Sequence, residues 1–328
     1  MMKDIFLSIC VMTYNRFKTL SETIDSLEAN NLPNDVEIVI SDNASTDATE
    51  TIVSMLKKKH SSLSIRYYKN DINYGFDGNF ARSIERSAGK YTWMFSDDDI
   101  MPEGVFNYVY EILKKNDYNL LYLAHYSFRE NTDYRKIYKQ FWPKQNHLFN
   151  DGMKFFNMAG LGFISTLVYN TELAKKEISK ISFKYDNAHV ELGIRICKFY
   201  NGNYLFIGEK SIAARMPVKW GRGRFMQWAY IDTGRLYQDA ADQGLISQRY
   251  VRKVKSSWAL KSIPLFIINS SKDGFLSELI PLKKRLIENY NRPSYRIIIN
   301  LSFLLASSSF FICLYKPVYS IILKKRIG

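Results

Sequence analysis

Along the first part of the chain, short apolar runs alternate with longer stretches whose apolar residues recur every three or four positions. The runs Ile5–Met12, Val36–Ser41, Ile65–Tyr68, Tyr91–Phe95 and Leu120–Ala124 are rich in Ile, Val and aromatic residues and read as buried strands. Between them, Phe17–Ala29 carries Leu20, Ile24 and Leu27 at helical spacing, and Thr46–Lys59, Asn79–Ala88 and Pro102–Lys115 have the same periodicity. The Ser45-Thr46-Asp47 cluster with Glu50 predicts a capping box for the second helix. Strands alternating with helices predict an α/β fold, a mostly parallel sheet flanked by helices on both faces.

Residues 126–150 are polar and aromatic (Tyr126, Tyr134, Tyr138, Phe141, Trp142) and read as a long excursion near a binding rim. Gly160–Tyr169 is strand-like and Asn187–Tyr200 helical. Helical patterns over 225–243, 246–269 and 274–290 fill the last third, before the uncharged segment Ile297–Tyr315. This divides the chain into an α/β domain, 1–209, and a helical region, 210–328.

Charge sharpens that division. Residues 1–209 hold 25 Lys and Arg against 26 Asp and Glu, and residues 210–328 hold 21 against 6, so the whole excess behind the net +14 lies in the last third. Such asymmetry predicts an anionic surface as partner. No basic-aromatic recognition motif accompanies it, so nucleic acid is not expected and an anionic membrane surface is. Ile297–Tyr315, bounded by Arg292, Arg296 and Lys316, predicts a membrane-associating helix, as an interfacial helix, a span or a helix buried in the protein. Three widely separated cysteines, Cys10, Cys197 and Cys313, form neither a disulfide framework nor a metal-ligand spacing and favour a reducing compartment. The first residues lack a signal-peptide layout.

In open α/β sheets ligands bind beyond the carboxyl ends of the strands. The polar stretches fall there: Thr13-Tyr14-Asn15-Arg16, Asp42-Asn43, Asn73-Tyr74-Gly75 and Asp97-Asp98-Asp99. Asn, Asp and Gly are also turn formers, so each loop taken alone has a structural reading. Three adjacent carboxylates after a buried strand repel one another unless a cation or a set of donors sits among them, which suits Mg²⁺ or Mn²⁺ meeting a phosphate. The structural alternative is a strand-end turn with helix-capping Asp.

The strand followed by Thr13–Arg16, the stretch Ser41–Asp47, Asn73-Tyr74-Gly75 and the acidic triplet, in that order, resemble the family 2 glycosyltransferases of GT-A (Rossmann-like) fold over roughly residues 5–205. Within that family the chain is similar to bacterial O-antigen sugar transferases of the abequosyltransferase type. The resemblance implies a nucleotide-sugar donor lying along Thr13, Tyr14, Asn15 and Arg16, with Asp42 accepting from the base or ribose and Asn43 beside it. Asn73 and Gly75 would shape the wall near the base, and Asn79 and Arg82 would face the same rim. The triplet would be the Asp-x-Asp motif, with Asp97 and Asp99, or Asp98, holding the metal. Asp97 and Asp98 would also meet the donor.

At the position where the family's general base is an Asp, counted back from Arg195, this chain has His189. Imidazole can serve near neutral pH, with Asp186 or Glu191 orienting it, or Glu191 can be the base itself. Arg222 and Arg224, in a Gly-containing loop after Trp220, would close over a pyrophosphate or face the membrane. Together these imply a metal-dependent transfer from a nucleotide-diphosphate sugar to a lipid-linked oligosaccharide, a glycan acceptor on a polyprenyl diphosphate. It would take place at the cytoplasmic face of the bacterial inner membrane, by a peripheral or monotopic protein. A nucleotidyltransferase is the competing enzyme class, and Val11–Lys18 lacks the glycine its phosphate loop needs. A non-catalytic glycan-binding protein is the competing non-enzyme.

Overall fold

The structure, a computed structural model, describes residues 4–128, 133–136, 142–215 and 221–307. Tyr138, Phe141, Trp220, Cys313 and the part of the terminal apolar segment beyond 307 lie outside them. The chain divides into two compact units at 216/217.

The first unit is built on an eight-stranded sheet. Its elements run β1 (Leu7–Thr13), α1 (Phe17–Glu28), β2 (Val36–Asp42), α2 (Thr49–Lys59), β3 (Ile65–Lys69), α3 (Gly75–Arg86), β4 (Tyr91–Ser96), α4 (Val105–Lys115) and β5 (Leu120–Phe128). There follow β6 (His147–Phe149), α5 (Gly152–Ala159), β7 (Leu167–Asn170), α6 (Thr171–Ile178), α7 (Ala188–Phe199) and β8 (Tyr204–Arg215). The strand order is β3-β2-β1-β4-β7-β5-β8-β6. β1 to β4 are mutually parallel, β5 and β8 are parallel, and β7 runs antiparallel between β4 and β5. The sheet is therefore mostly parallel, with helices on its faces, as the alternation predicts.

All seven residues of both β1 and β2 are buried. They pack with Leu20, Ile24 and Leu27 of α1 and with Trp93, Phe95 and Phe106 in one core. The Trp93 indole nitrogen donates to the Ser165 carbonyl at 2.9 Å, so the largest core side chain also fixes the segment before β7. At Gly89 an added Cβ would come within 2.6 Å of the Ser8 amide nitrogen, which explains a residue without a side chain between α3 and β4.

Several boundaries differ from the sequence reading. α2 begins at Thr49, and no capping box forms: Asp47 accepts from the Thr49 amide, and Glu50 instead takes Lys69 at 2.9 Å. α3 begins at Gly75, one turn before the predicted Asn79, because the Asn73 carboxamide oxygen accepts from the Gly75 amide and starts the turn. Of the predicted strand 160–169 only the end from Leu167 onward is extended, as β7, which runs one residue further to Asn170. The excursion after β5 returns as edge strand β6, and Trp142 packs against Tyr122 and Phe206. β8 is long and bulged opposite Leu123/Ala124, and it runs through the 209/210 division drawn from charge.

The second unit is helical. α8 (Gly221–Met226) and α9 (Thr233–Asp242) join through a π turn, Gln227–Asp232, and α10 (Gln248–Ser257) and α11 (Ile263–Lys272) through another, Trp258–Ser262. α12 (Leu276–Leu279), α13 (Lys283–Asn289) and α14 (Pro293–Ala306) follow. Met226, Ile231, Ile263, Ile267, Leu286, Ile299 and Phe303 form its core. Among the described residues no helix is long and apolar enough to cross a membrane. The described part of the predicted membrane helix, α14, buries Ile299 and Phe303 and leaves Ile297, Leu301 and Leu304 at 59%, 49% and 65% exposure.

Candidate active site

The carboxyl ends of β1, β2 and β4 lie side by side, Thr13 opposite Asp42 and Met12 opposite Ser96, so the loops after them share one rim. Side-chain hydrogen bonds tie the loops together. Asn15 has a left-handed backbone (φ 53°). Its amide donates to Ser45 Oγ at 2.9 Å and its side-chain oxygen accepts from the Thr46 amide at 2.8 Å. Asn43 Nδ2 donates to Asn73 Oδ1 (2.7 Å) and to the Gly75 carbonyl (2.9 Å), while its Oδ1 accepts from the Tyr74 amide (2.9 Å). Gly75 has φ +71°, a turn that a side chain would strain.

Beneath the rim is a second polar layer. Asp42 is fully buried; its carboxylate accepts from the Ser45 amide (2.8 Å) and the Tyr67 hydroxyl (2.6 Å). Asn79 is 3% exposed and bonds Ser41 through both ends of its amide. Arg86 donates to Ser41 Oγ and Asn70 Oδ1. Asp42 and Asn79, expected to touch the donor, thus have their polar atoms engaged within the protein and shape the loops that would. Arg82 stacks on the Tyr74 ring, 3.8 Å from its centroid, and Tyr74 in turn bonds Asp71. Tyr14 is 44% exposed on the rim.

The acidic triplet is split by function. Asp98 is the carboxylate that reaches solvent: its side chain is 19% exposed against 3% for Asp97. Arg16 Nη1 bridges them, 3.1 Å from Asp97 Oδ1 and 2.8 Å from Asp98 Oδ2. Ser96 Oγ donates to the other Asp98 oxygen at 2.6 Å. Asp99 turns inward, 1% exposed, where Ser165 Oγ (2.5 Å) and the Arg215 amide (2.9 Å) occupy its two oxygens. Its carbonyl accepts from Thr23 Oγ1. The three carboxylates do not converge: among the described residues no group of three His, Cys, Asp or Glu can hold a metal ion. Asp99 therefore serves the loop, because both of its oxygens already have donors.

Burial, reinforced by Asp98, pushes the Asp97 carboxyl up to about 7 despite Arg16. Burial also holds Asp99 well above the carboxylate range. Asp97 Oδ2 and the neighbouring strand-end hydroxyl Thr13 Oγ1 are both buried and make no well-formed hydrogen bond among the described residues, although Thr13 lies close enough to lower the Asp97 carboxyl. A buried carboxylate oxygen with no donor costs stability unless a cation or donor arrives. The oxygen-rich, undercompensated pair Asp97 and Asp98 fits a hard divalent ion whose remaining ligands are phosphate and water.

His189 does not stand ready as a base. It is 1% exposed, edge-on to Phe76 and Phe80, with Nε2 3.4 Å from the Gly162 carbonyl and Nδ1 without a partner among the described residues. Burial pushes its pKa down to about 4. Glu191 is 4% exposed and accepts from the Ser182 amide and hydroxyl, closing the loop before α7. Asp186 is the exposed carboxylate of the three, just ahead of α7 in a left-handed backbone (φ 50°). Beside it Asp77 of α3 accepts from the Ala188 amide at 2.8 Å, and burial, with the Asp186 charge, lifts its pKa to about 6. In the helical unit, Arg222 pairs with Asp273 at 2.8 Å and lies over Phe266 and Phe275, and Arg224 is exposed.

The site residues missed by sequence reading are Thr23, Ser165, Arg215 and Asp77. The first three donate to the triplet from distant elements.

Comparison with known proteins agrees with this architecture. Residues 8–169 match the family model described as Glycosyl transferase family 2. The abequosyltransferase RfbV of Salmonella typhimurium is 40% identical over 96 residues, 29% of this chain and 28% of that one. The GalNAc(5)-diNAcBac-PP-undecaprenol beta-1,3-glucosyltransferase of Campylobacter jejuni is 32% identical over 103 residues, 31% and 32% of the two chains. Each match thus spans under a third of the relative's length. Among solved structures, Staphylococcus aureus TarS 1–349 in complex with UDP-GlcNAc superposes with TM-score 0.58 at 16% identity, covering 93% of this chain and 91% of that one. Mannosyltransferase PcManGT from Pyrobaculum calidifontis, in complex with GDP-Man and Mn²⁺, gives TM-score 0.53 at 13% identity, covering 92% and 88%. The sheet is that of the GT-A glycosyltransferases, and residues 8–169, most of the α/β unit, belong to glycosyl transferase family 2.

Proposed function

We propose that the protein transfers a sugar from a nucleotide-diphosphate donor to a glycan acceptor carried on a polyprenyl diphosphate, in the synthesis of an O-antigen or related surface polysaccharide. The observation that carries the donor half is the Asp97–Asp98 pair on the rim, bridged by Arg16, with one buried carboxylate oxygen that makes no well-formed hydrogen bond among the described residues. Asp97 and Asp98 would hold Mg²⁺ or Mn²⁺, which supplies positive charge against the diphosphate leaving group. Arg16 contributes a second positive charge at the same place, and its guanidinium can turn from the carboxylates to phosphate oxygens. The loops held by Asn15, Asn43, Asn73 and Gly75 form the wall for the nucleoside, with the Tyr14 ring exposed for stacking.

Asp186 takes the proton from the acceptor hydroxyl in this reading, in place of His189. It is exposed, sits just ahead of α7 in a left-handed backbone, and lies close enough to the buried Asp77 carboxyl for its charge to raise that group's pKa. The lipid-linked acceptor is supported by the name of the Campylobacter jejuni relative and by the basic helical region, domain 210–328 as drawn from charge. That region would hold the protein at the cytoplasmic face of the bacterial inner membrane as a peripheral or monotopic enzyme. The test is a thermal-shift screen of nucleoside diphosphates with and without Mn²⁺, since a ligand that binds the native state raises its melting temperature. At least one nucleotide should give a Mn²⁺-dependent rise that Asp98→Asn removes; a full rise in that variant contradicts the assignment.

A further inference from the structure

The helical unit holds a cavity of about 390 Å³ between α9, α10 and the turn into α14. Four cations line it, Arg235, Arg252, Lys255 and Arg292, against two carboxylates, Asp239 and Glu288. Among the described residues none of the four cations forms an ion pair with a carboxylate. Lys255 donates only to the carbonyl and the side-chain oxygen of Asn289, at 3.4 and 3.2 Å. Burial lowers its pKa, and the like charge of Arg235 acts in the same direction against the opposing charges of Asp242 and Asp239.

The floor of this cavity is built, not incidental. Asn289 Nδ2 donates to the Tyr230 and Ile231 carbonyls at 3.0 and 3.2 Å, and the Tyr290 hydroxyl donates to the Tyr230 carbonyl at 3.0 Å. At Gly234 an added Cβ would come within 2.6 Å of Asn289 Nδ2, so the approach of α9 to this turn requires glycine. α14 begins at the wall, with Pro293 in its first turn and no side chain capping its amides. Cations in excess of carboxylates around one cavity, beside an uncapped helix start, suit an anion.

We infer that this cavity binds a phosphoryl group, as a mono- or diphosphate, between Arg235, Arg252, Lys255 and Arg292. Arginine forks match phosphate oxygens in pairs, and the surplus of two positive charges suits a diphosphate. That its source is the diphosphate of the lipid-linked acceptor rests on the proposed function; the anion site itself does not.

The test uses the full chain with inorganic pyrophosphate as the probe, in EDTA so that no divalent ion assists binding at the sheet rim. Arg235→Gln/Arg252→Gln should weaken binding at least about tenfold, the size expected for losing two charge-assisted pairs. Lys253→Gln, on the same helix outside the cavity lining, should not weaken it. Both changed residues are at least partly exposed, and an unaltered melting temperature checks that the variant is folded. Arg16→Gln distinguishes the two sites, because without a divalent ion Arg16 is the cation among the triplet carboxylates at the rim: pyrophosphate binding that survives its loss belongs to the helical unit, while binding lost there and kept in the double variant overturns the proposal. Equal affinity in wild type and double variant overturns it as well. Flotation with phosphatidylcholine vesicles containing a polyprenyl diphosphate identifies the source. Displacement of the wild type by free pyrophosphate assigns the lipid headgroup, and pyrophosphate binding without displacement assigns a free diphosphate; either result upholds the phosphoryl site.

Discussion

At the scale of single residues, the acidic triplet shows how three identical neighbours acquire different tasks. In the turn after β4, Asp97 and Asp99 are buried, Asp99 held inward by Ser165 Oγ and the Arg215 amide, while Asp98 is more exposed and meets Arg16 and Ser96. Asp97 then carries a stability cost. Its carboxyl titrates near 7 when folded and near 3.8 when unfolded, so the folded state binds the proton more tightly across that window. Stability is accordingly full below pH ~4, falls as pH rises toward ~7 and levels off above, by a few kcal/mol at most at about 1.4 kcal/mol per pKa unit. Asp77, lifted to about 6, adds a fall of the same sign at slightly lower pH. Denaturant titrations at pH 5 and pH 8 should show Asp97→Asn more stable than wild type at pH 8, with the gap closing at pH 5; a variant less stable at both would mean that the carboxylate is compensated in the apo protein. At α7, His189→Leu should keep transfer within about threefold and stability within ~1 kcal/mol, since it removes a buried ring nitrogen that has no partner among the described residues. Asp186→Asn should lower transfer by at least about a hundredfold while leaving metal-dependent nucleotide binding intact. The opposite pattern in initial-rate measurements would return the base to His189.

At the scale of elements, the strands and helices of the first unit were legible because a buried strand needs an unbroken apolar run and a surface helix a periodic one. β1, β2 and β4 meet that requirement in their sequences, and α1 carries its buried Leu20, Ile24 and Leu27 at the expected spacing. β7 was obscured because its neighbours, not its own residues, decide where it pairs; it is four residues long and enters antiparallel between β4 and β5. The rim loops were legible as a set, but the partners that position them were not. Ser165 and Arg215 lie 66 and 116 positions from Asp99, and no local pattern reports such a pairing. The loop from Asn73 to Gly75 depends on Asn43, whose amide supplies three bonds to it. Asn43→Ala should cost about 2–3 kcal/mol in urea unfolding and raise the donor KM, because it strands buried polar groups on both loops. Unchanged stability would mean that the loop is held by other means.

At the scale of the whole molecule, the chain forms two compact units divided at 216/217 rather than at 209/210, an α/β unit carrying the rim and a helical unit carrying the basic excess. The terminal apolar segment reads from sequence as an interfacial, spanning or buried helix; its described part, α14, buries Ile299 and Phe303 and exposes Ile297, Leu301 and Leu304. Exposed leucines cost little to replace, so Leu301→Glu/Leu304→Glu should leave the melting temperature unchanged and reduce flotation with anionic vesicles severalfold. Undiminished flotation would remove α14 from the membrane contact. The central claim is that Asp97 and Asp98 on the rim activate a nucleotide-sugar donor. Its most direct test is the rate of nucleoside diphosphate release from a panel of nucleotide sugars with Mn²⁺, comparing wild type with Asp98→Asn. Release from at least one donor, stopped by EDTA and lowered at least about a thousandfold in the variant, is the predicted result. Release from the same donor at the wild-type rate in Asp98→Asn would contradict the account.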